Sequence, residues 1–313
     1  MNPDPVEDVR LTDAREAAAL VDAFDDAGGF VAAKVSSAAN TLERMLTAES
    51  TVVLSFPAAP VATGMRGLLV DLVREGHVDA IVTTCGTLDH DIARTKATYR
   101  QGSFALDDVE VAEHGYHRLG SVLVPEEAYG PLVEDTVRPL LGEISGEGEV
   151  TGRRLCGEIG RLLRDEDGAE GSLLAACANE DVPVFVPGLT DGAVGSQVWS
   201  WWEQDRGFSL DLLRDEHEIS NLVEDADELD ALMVGGGISK HHTIWWAQFA
   251  DGLDRAVYIT TASEHDGSLS GARMREAISW NKLKAEADHV TVTGEATAIL
   301  PLVLGAALER SGA

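Results

Sequence analysis

Six short apolar runs, each closed by small or polar residues, constrain the fold of this chain more than any other feature. They are TVVLSF (51–56), AIVTTCG (80–86), VPVFVPGLTDG (182–192), ALMVGGG (231–237), AVYITTA (256–262) and HVTVTGE (289–295). Such runs read as strands. Most are followed by stretches with helical apolar spacing, such as GMRGLLVDLVREG and TAILPLVLGAALER. Strands alternating with helices predict an α/β fold: a doubly wound, mostly parallel, Rossmann-like sheet with helices on both faces. We expect a single domain over 1–313 with an N-terminal helical extension over about 1–48, including a helix around REAAALVDAFDDA. The Gly- and Glu-rich stretch 141–172 reads as an insertion within that domain, helical in its middle, rather than as a linker. Neither an internal repeat nor a low-complexity tract is present.

In parallel sheets of this kind, ligands sit beyond the carboxyl ends of the strands. Here those ends run into TTCGTLDHD, GLTDGAVG, GGGISKHH, TASEHDGSLSG and TGEAT. Five loops of small and acidic residues are therefore expected to open onto one rim.

Charge narrows the partners. The chain has 24 basic and 54 acidic residues, a formal charge of −30, while 44% of its residues are hydrophobic. The apolar fraction sets it apart from an acidic disordered tail. Such a charge repels nucleic acid and anionic lipid, so neither is expected as a partner. Five lysines stand against nineteen arginines. With the acidity, that scarcity fits a halophilic cytoplasm, where salt screens the self-repulsion. Cys85, Cys156 and Cys177 are odd in number and lack metal-ligand spacing, so they read as reduced thiols and no metal is expected. No window has the roughly 18 uncharged apolar residues of a membrane span. The acidic, proline-bearing MNPDPVEDVR fits neither a signal nor a transit peptide. A soluble, cytoplasmic protein is expected.

Lysine scarcity singles out GARMREAISWNKLKAEA (271–287), which places Lys282 and Lys284 close to Trp280. Arginine stays protonated at any working pH, whereas a desolvated lysine can lose its proton and form an imine. Trp280 could shield such an amine, although an ordinary surface cation fits too, and spacing does not separate the two lysines. Gly235, Gly236 and Gly237 follow a strand and precede a helix expected to begin near Ser239. They could admit backbone amides to a phosphate at the helix N-terminus, or simply make a tight turn. The run matches no nucleotide-loop consensus, so Lys240 is not a phosphate-loop lysine. His241 and His242 are helical neighbours that point about 100° apart and cannot easily share a metal. One of them on the rim suits a base or hydrogen-bonding group, and capping or surface roles fit equally. Glu264, Asp266 and Glu276, near hydroxyls and an indole, suit a cationic substrate, against a background of solvated surface acids.

Together these stretches resemble the deoxyhypusine synthase family. The run MVGGGISKHHTIWWAQFADGLDRAVYITTASEHDGSLSGARMREAISWNKLKAEA contains, in order, that family's GGG-x-x-KHH, DGS-x-SGA and SW-x-K blocks. The similarity continues upstream through VATGMRGLLVDLVREGHVDAIVTTCG, RLGSVLVPEEAYG and PVFVPGLTDGAVG, covering roughly 25 to 305. It implies a homotetramer of doubly wound subunits, with NAD and substrate bound where subunits meet. In the family, NAD takes hydride from an aminobutyl donor, usually spermidine, and an active-site lysine then holds the four-carbon unit as an imine. The unit passes to a lysine of the hypusine-bearing translation initiation factor, where the retained NADH reduces the new imine. By position, Lys282 matches the nucleophile, His241 the histidine beside the donor, Glu276 a donor-site acid and Trp280 the tryptophan along its carbons. Gly267, Ser268 and Leu269 occupy the second block's donor positions. The NAD matches are Thr84, Cys85, Gly86, Asp191, Gly236, Thr261, Ala262, Ala296 and Glu295, the last standing where the family usually has Asp.

The departures concentrate on the donor. Ser196 and Leu269 stand where the spermidine-using pattern has Asp, and His90 stands where it has Glu. At about 1.5–3 kcal/mol for each charged hydrogen bond lost, spermidine binding of the usual type would be badly weakened. SFPAAPVATG lacks the Thr-Ser-Asn that commonly faces NAD, and Asn281 replaces the usual Gly before the lysine. The expected function is NAD-dependent aminobutyl transfer from a small amine donor to the translation factor. Agmatine is favoured as donor because its planar guanidinium could meet His90, Ser196 and Leu269 differently. Spermidine would need Asp89 or Glu264 to take over the grip. The alternatives are homospermidine-forming transfer to a free diamine and a catalytically silent NAD-binding regulatory paralogue. The joint presence of Lys282, His241, Glu276 and Trp280 argues against silence.

Overall fold

The computed structural model of the chain describes residues 16–146 and 148–312. Its strands are β1 (Thr51–Ser55), β2 (Ala80–Val82), β3 (Arg100–Gln101), β4 (Tyr116–Leu119), β5 (Val122–Pro125), β6 (Val184–Phe185), β7 (Leu229–Val234), β8 (Leu253–Thr260) and β9 (Leu283–Thr293). Backbone contacts gather into two compact units, residues 16–56 with 220–312, and residues 57–219.

In the first unit β1, β7, β8 and β9 lie parallel in that order, with Val53 beside Ala231, Leu232 beside Val257 and Tyr258 beside Thr291. All six residues of β7 are buried, so it reads without polar alternation; its one charged residue, Asp230, pairs with Arg255 at 2.8 Å. β9 begins well before its apolar run. Leu283 pairs with Leu253, but the next register pair is Asp288 with Arg255, so residues 284–287 form an irregularity in the ladder. The strand therefore starts directly after Lys282. Because the strands are parallel, the loops following β7, β8 and β9 leave from the same edge.

The helices follow from their apolar faces. Phe30–Thr47 buries Val35, Ala38, Ala39, Leu42 and Met45, and packs on β9 and on the helix Ala296–Ser311. Arg44 ties it to Asp288 at 2.7 Å. Over its described part, the expected N-terminal extension consists of two helices, Ala17–Ala27 and Phe30–Thr47, packed within this unit. Residues 1–15 of that expectation lie outside the described residues. The helix Ile238–Ala247 follows the triple glycine, close to the Ser239 start expected, and packs on β1 and β7.

The second unit holds a parallel pair, β2 with β6, and an antiparallel sheet in the order β3-β5-β4. Only Val184–Phe185 of VPVFVPGLTDG is strand, since Pro183 and Pro187 bracket it and neither has an N–H to donate. The antiparallel sheet was not foreseen. Its strands are short and partly exposed, and β4 turns into β5 around Gly120 at φ +61°. The middle of 141–172 is the helix Gly152–Leu163, capped by Thr151 Oγ1, which accepts from the Arg154 N–H at 3.0 Å.

Remote carboxylates cap three helices of this unit. Asp91, fully buried, accepts from the N–H groups of Leu173 (3.1 Å) and Leu174 (2.8 Å) and from Ser172 Oγ (2.8 Å). It also pairs with Arg66 at 3.1 Å. Asp89 accepts from the N–H groups of Ala193 (2.9 Å) and Val194 (2.8 Å). Asp215 accepts from those of Gly152 (2.8 Å) and Arg153 (3.0 Å). At each helix N-terminus, unpaired N–H groups and the macrodipole favour a negative charge. Asp91→Ala would strand both Arg66 and the helix amides, with an expected loss of about 3–5 kcal/mol in denaturant unfolding. Asp107→Ala, at the exposed cap of Asp108–Glu113, is expected to cost only about 1 kcal/mol.

Candidate active site

The triple glycine is required by a close packing of two loops. Gly235 and Gly237 have φ of +73° and +72°, a region that disfavours side chains. Between them, a Cβ on Gly236 would lie 2.1 Å from Ser270 Oγ. The Gly237 N–H donates to that same hydroxyl at 2.9 Å. The Ser270 carbonyl in turn accepts from Tyr258 Oη (2.6 Å) and Thr260 Oγ1 (3.2 Å), so the DGSLSG loop is fastened to β8 and to the loop after β7. Lys240 completes the attachment. It is 2% exposed, donates to the carbonyls of Leu269 (2.9 Å) and Ala272 (2.7 Å), and lies over the Tyr258 ring. Burial pulls its pKa down to about 8.

Lys282 is held differently. A 3₁₀ helix, Met274–Trp280, ends at Asn281 with φ +55°, and the Lys282 N–H then donates to the Ala277 carbonyl at 3.0 Å. The side chain is 8% exposed, and its Nζ lies 5.1 Å from the Trp245 ring centre and 5.6 Å from that of Trp280. Burial lowers its pKa from the ordinary lysine value. Lys284, by contrast, pairs with Asp254 at 2.7 Å. Lys282 lines a cavity whose residues do not include Lys284.

That cavity, of about 330 Å³, brings together Lys282, His241, Glu276, Trp280 and Leu269 from the sequence-predicted set. His241 stacks on Trp245, with ring centres 5.8 Å apart and planes 28° from parallel. Burial, then the Lys282 charge, lowers the His241 pKa and favours the neutral imidazole. Glu276 accepts from the Arg273 N–H at 3.3 Å. The arrangement supplies a shielded amine, a neutral base and one carboxylate among apolar walls. Sequence reasoning missed Trp245, Ile244, Met274 and Arg273, and assigned Lys240 no role. The signal for Trp245 was its place four residues after His241, which puts the two side chains on one helical face.

The other predicted residues of this unit lie along the strand-end loops. Gly267 has φ +75°, and Ser268 donates from its N–H and Oγ to Asp266, both at 2.8 Å. Thr261 and Ala262 follow β8, and the Ala262 N–H donates to Thr260 Oγ1 at 3.1 Å. Glu295 and Ala296 open the last helix. The exposed Glu295 carboxylate accepts from the N–H groups of Thr297 (3.0 Å) and Ala298 (3.2 Å). Desolvation works to raise its pKa, but the Thr297 hydroxyl, which donates at 2.5 Å, and then these two N–H groups outweigh it and hold the carboxyl low.

In the second unit, Thr84, Cys85 and Gly86 begin the helix Cys85–Lys96, where burial, then Asp89, pushes the Cys85 thiol up to about 12. A Cβ on Gly86 would lie 2.9 Å from Ala58 Cβ. Asp191 and Ser196 are exposed, and Ser196 Oγ donates to the Gly192 carbonyl at 2.9 Å. Asp89 is committed to its two helix amides and to Tyr129 Oη, which donates at 2.8 Å. His90 shares a 2.8 Å hydrogen bond with Tyr99 Oη and packs against Tyr129. Among the described residues no three His, Cys, Asp or Glu side chains are placed to hold a metal ion, and no helix is long and apolar enough to cross a membrane.

The model of the family "DS: Deoxyhypusine synthase" matches residues 19–307. The chain belongs to the deoxyhypusine synthase family. It is 48% identical over 301 residues to a probable deoxyhypusine synthase of Thermoplasma acidophilum, covering 96% of each chain. With the corresponding protein of Ignicoccus hospitalis the identity is 47% over 312 residues, covering 98% of this chain and 96% of the relative. A crystal structure from Entamoeba histolytica, assigned to the same synthases, superposes with a TM-score of 0.67 at 20% identity over 98% of both chains, a likeness of fold. Membership makes this chain a transferase of a family whose chemistry is NAD-dependent aminobutyl transfer.

His90 makes acid sensitivity testable. Burial, then the Arg94 charge, brings its pKa from 6.5 to about 4. Between those values the unfolded chain binds a proton that the native state refuses, so stability falls as pH drops through the window. The contribution lost is about 3 kcal/mol. In urea unfolding followed from pH 7 to 4, the stability gap between wild type and His90→Gln is expected to narrow by about that amount.

Proposed function

We propose that this protein is an NAD-dependent aminobutyl transferase acting on a lysine of the hypusine-bearing translation initiation factor, with agmatine favoured over spermidine as donor. The observation behind this reading is the Lys282 amine, lying within 5.6 Å of two indole ring centres and shifted by burial toward its neutral, nucleophilic form. Such an amine can attack an imine carbon of the donor, expel the leaving amine and keep the four-carbon unit as an imine on Lys282. His241, held neutral beside it, is the group able to take the proton that Lys282 sheds. Apolar side chains, Ile244, Leu269, Met274 and Ala277 among them, line the cavity around Lys282.

NAD, when bound, would supply the hydride acceptor and donor that this chemistry needs. Residues of this chain fit it. Glu295 presents an exposed carboxylate, held in its ionised form, just beyond β9, and Thr261 is exposed beyond β8, where open α/β sheets bind nucleotides. Gly236, Ala262 and Ala296 lie on the same strand-end loops. Thr84, Cys85, Gly86 and Asp191 are the corresponding candidates in the second unit.

The donor preference rests on where the acids are. Asp89 is occupied as a helix cap, and Glu264 pairs with Arg273 at 3.2 Å. Ser196 and Leu269 carry no charge, and His90 stays neutral above about pH 4. Polyamine nitrogens would find few free carboxylates. The reading extends to one NAD-binding domain per chain, a homotetramer, and a salt-rich cytoplasm suited to a charge of −30.

Mass spectrometry of the purified factor tests this, after incubation with the protein and NAD in high salt and with spermidine, agmatine, putrescine or no amine. A mass gain from agmatine is expected, and the added mass reports whether the guanidino group is kept. Gain from spermidine alone would overturn the donor preference. No gain in any tube, with NAD bound, would favour the free-diamine enzyme or the silent paralogue. Lys282→Ala is expected to abolish transfer, and the wild-type rate should rise with pH, with an apparent pKa below the ordinary lysine value.

A further inference from the structure

The cavity around Lys282 meets cations mainly with rings. Trp245 and Trp280 both line it while remaining 44% and 68% exposed, so ring surface is left for a second cation beside the lysine. Both ring centres lie within 5.6 Å of Lys282 Nζ, inside the reach of cation–π attraction. Stacking on His241 limits how far the Trp245 indole can turn. The other charged lining groups are largely engaged. Lys240 is spent on two carbonyls, Arg273 on Glu264 and Thr293, and the single lining carboxylate, Glu276, already accepts the Arg273 N–H.

An ammonium is compact and strongly hydrated, so leaving water requires several acceptors. A guanidinium is planar, delocalised and weakly hydrated, and stacks on an aromatic face at low desolvation cost. We propose that Trp245 is a specificity-determining residue which, with Trp280, forms an aromatic slot for the planar guanidinium head of the donor. The slot selects that head over an ammonium on the same carbon chain. This inference rests on the donor reading above. When the Lys282 amine is neutral it no longer competes for the rings, so the slot is free as the lysine becomes reactive.

Isothermal titration of the full chain with saturating NAD tests it, using agmatine and putrescine, which share the four-carbon chain and differ at one head. Wild type is expected to bind agmatine about tenfold more tightly, within the range of one cation–π contact. Trp245→Ala and Trp245→Leu are expected to reduce that preference to about threefold or less, the leucine keeping bulk without a π face. Trp245→Phe should keep most of it. Melting curves check the fold of each variant, and the leucine variant decides if the alanine variant does not fold. A folded alanine or leucine variant with the wild-type preference overturns the role of Trp245 alone. A wild-type preference near one overturns the donor reading itself.

Discussion

A side chain on Gly236 would put its Cβ 2.1 Å from Ser270 Oγ, and the lysine cavity depends on that contact staying bare. With it bare, the loop after β8 lies directly on the loop after β7. Ser270 then bonds to Gly237, Tyr258 and Thr260. Leu269 and Ala272 present their carbonyls to Lys240, and the chain beyond them continues into the 3₁₀ helix that ends before Lys282. A residue larger than glycine would separate the loops and release Lys240, Leu269 and the wall beneath Lys282 together.

Two buried lysines in this unit show how burial alone does not set a role. Lys240 loses its water but gains two carbonyls and a tyrosine ring, so its charge is used to hold the loop. Lys282 loses its water and gains only ring faces, which satisfy an ammonium less completely than carbonyl oxygens do. The first therefore acts as a fastening, and the second keeps an amine whose pKa lies below the ordinary lysine value. The second unit shows the same distinction among acids. Asp89, Asp91 and Asp215 are buried carboxylates whose oxygens are spent on helix amides, and their burial reports architecture rather than chemistry.

Much of this was legible in residue order. The runs at 51–56, 80–86, 231–237 and 256–262 became parallel strands because largely apolar segments of that length have few other ways to be buried on both faces, and the alternating run at 289–295 became the parallel strand β9, with Val290 and Val292 buried. The antiparallel sheet of β3, β4 and β5 was not legible, since its strands are short and only partly buried and leave little periodicity to read. In the site, Lys282, His241, Glu276, Trp280 and Leu269 were named from ordered motifs and line one cavity. Asp89 was named as an acid near the donor, yet its oxygens are turned to Ala193 and Val194, more than a hundred residues away in sequence.

The sequence by itself determined the α/β class, the order of the motif blocks and the residue types available for chemistry. Periodicity, glycine placement and lysine scarcity are properties of neighbouring positions, and no folding is needed to see them. Only the tertiary structure paired Lys284 with Asp254, brought Trp245 to the Lys282 amine and assigned Lys240 to the loop. Those outcomes depend on which groups lose water and which partners replace it. Here the deciding partners, Asp254 for Lys284, Trp245 for Lys282, and Leu269 and Ala272 for Lys240, lie roughly thirty or more residues away along the chain.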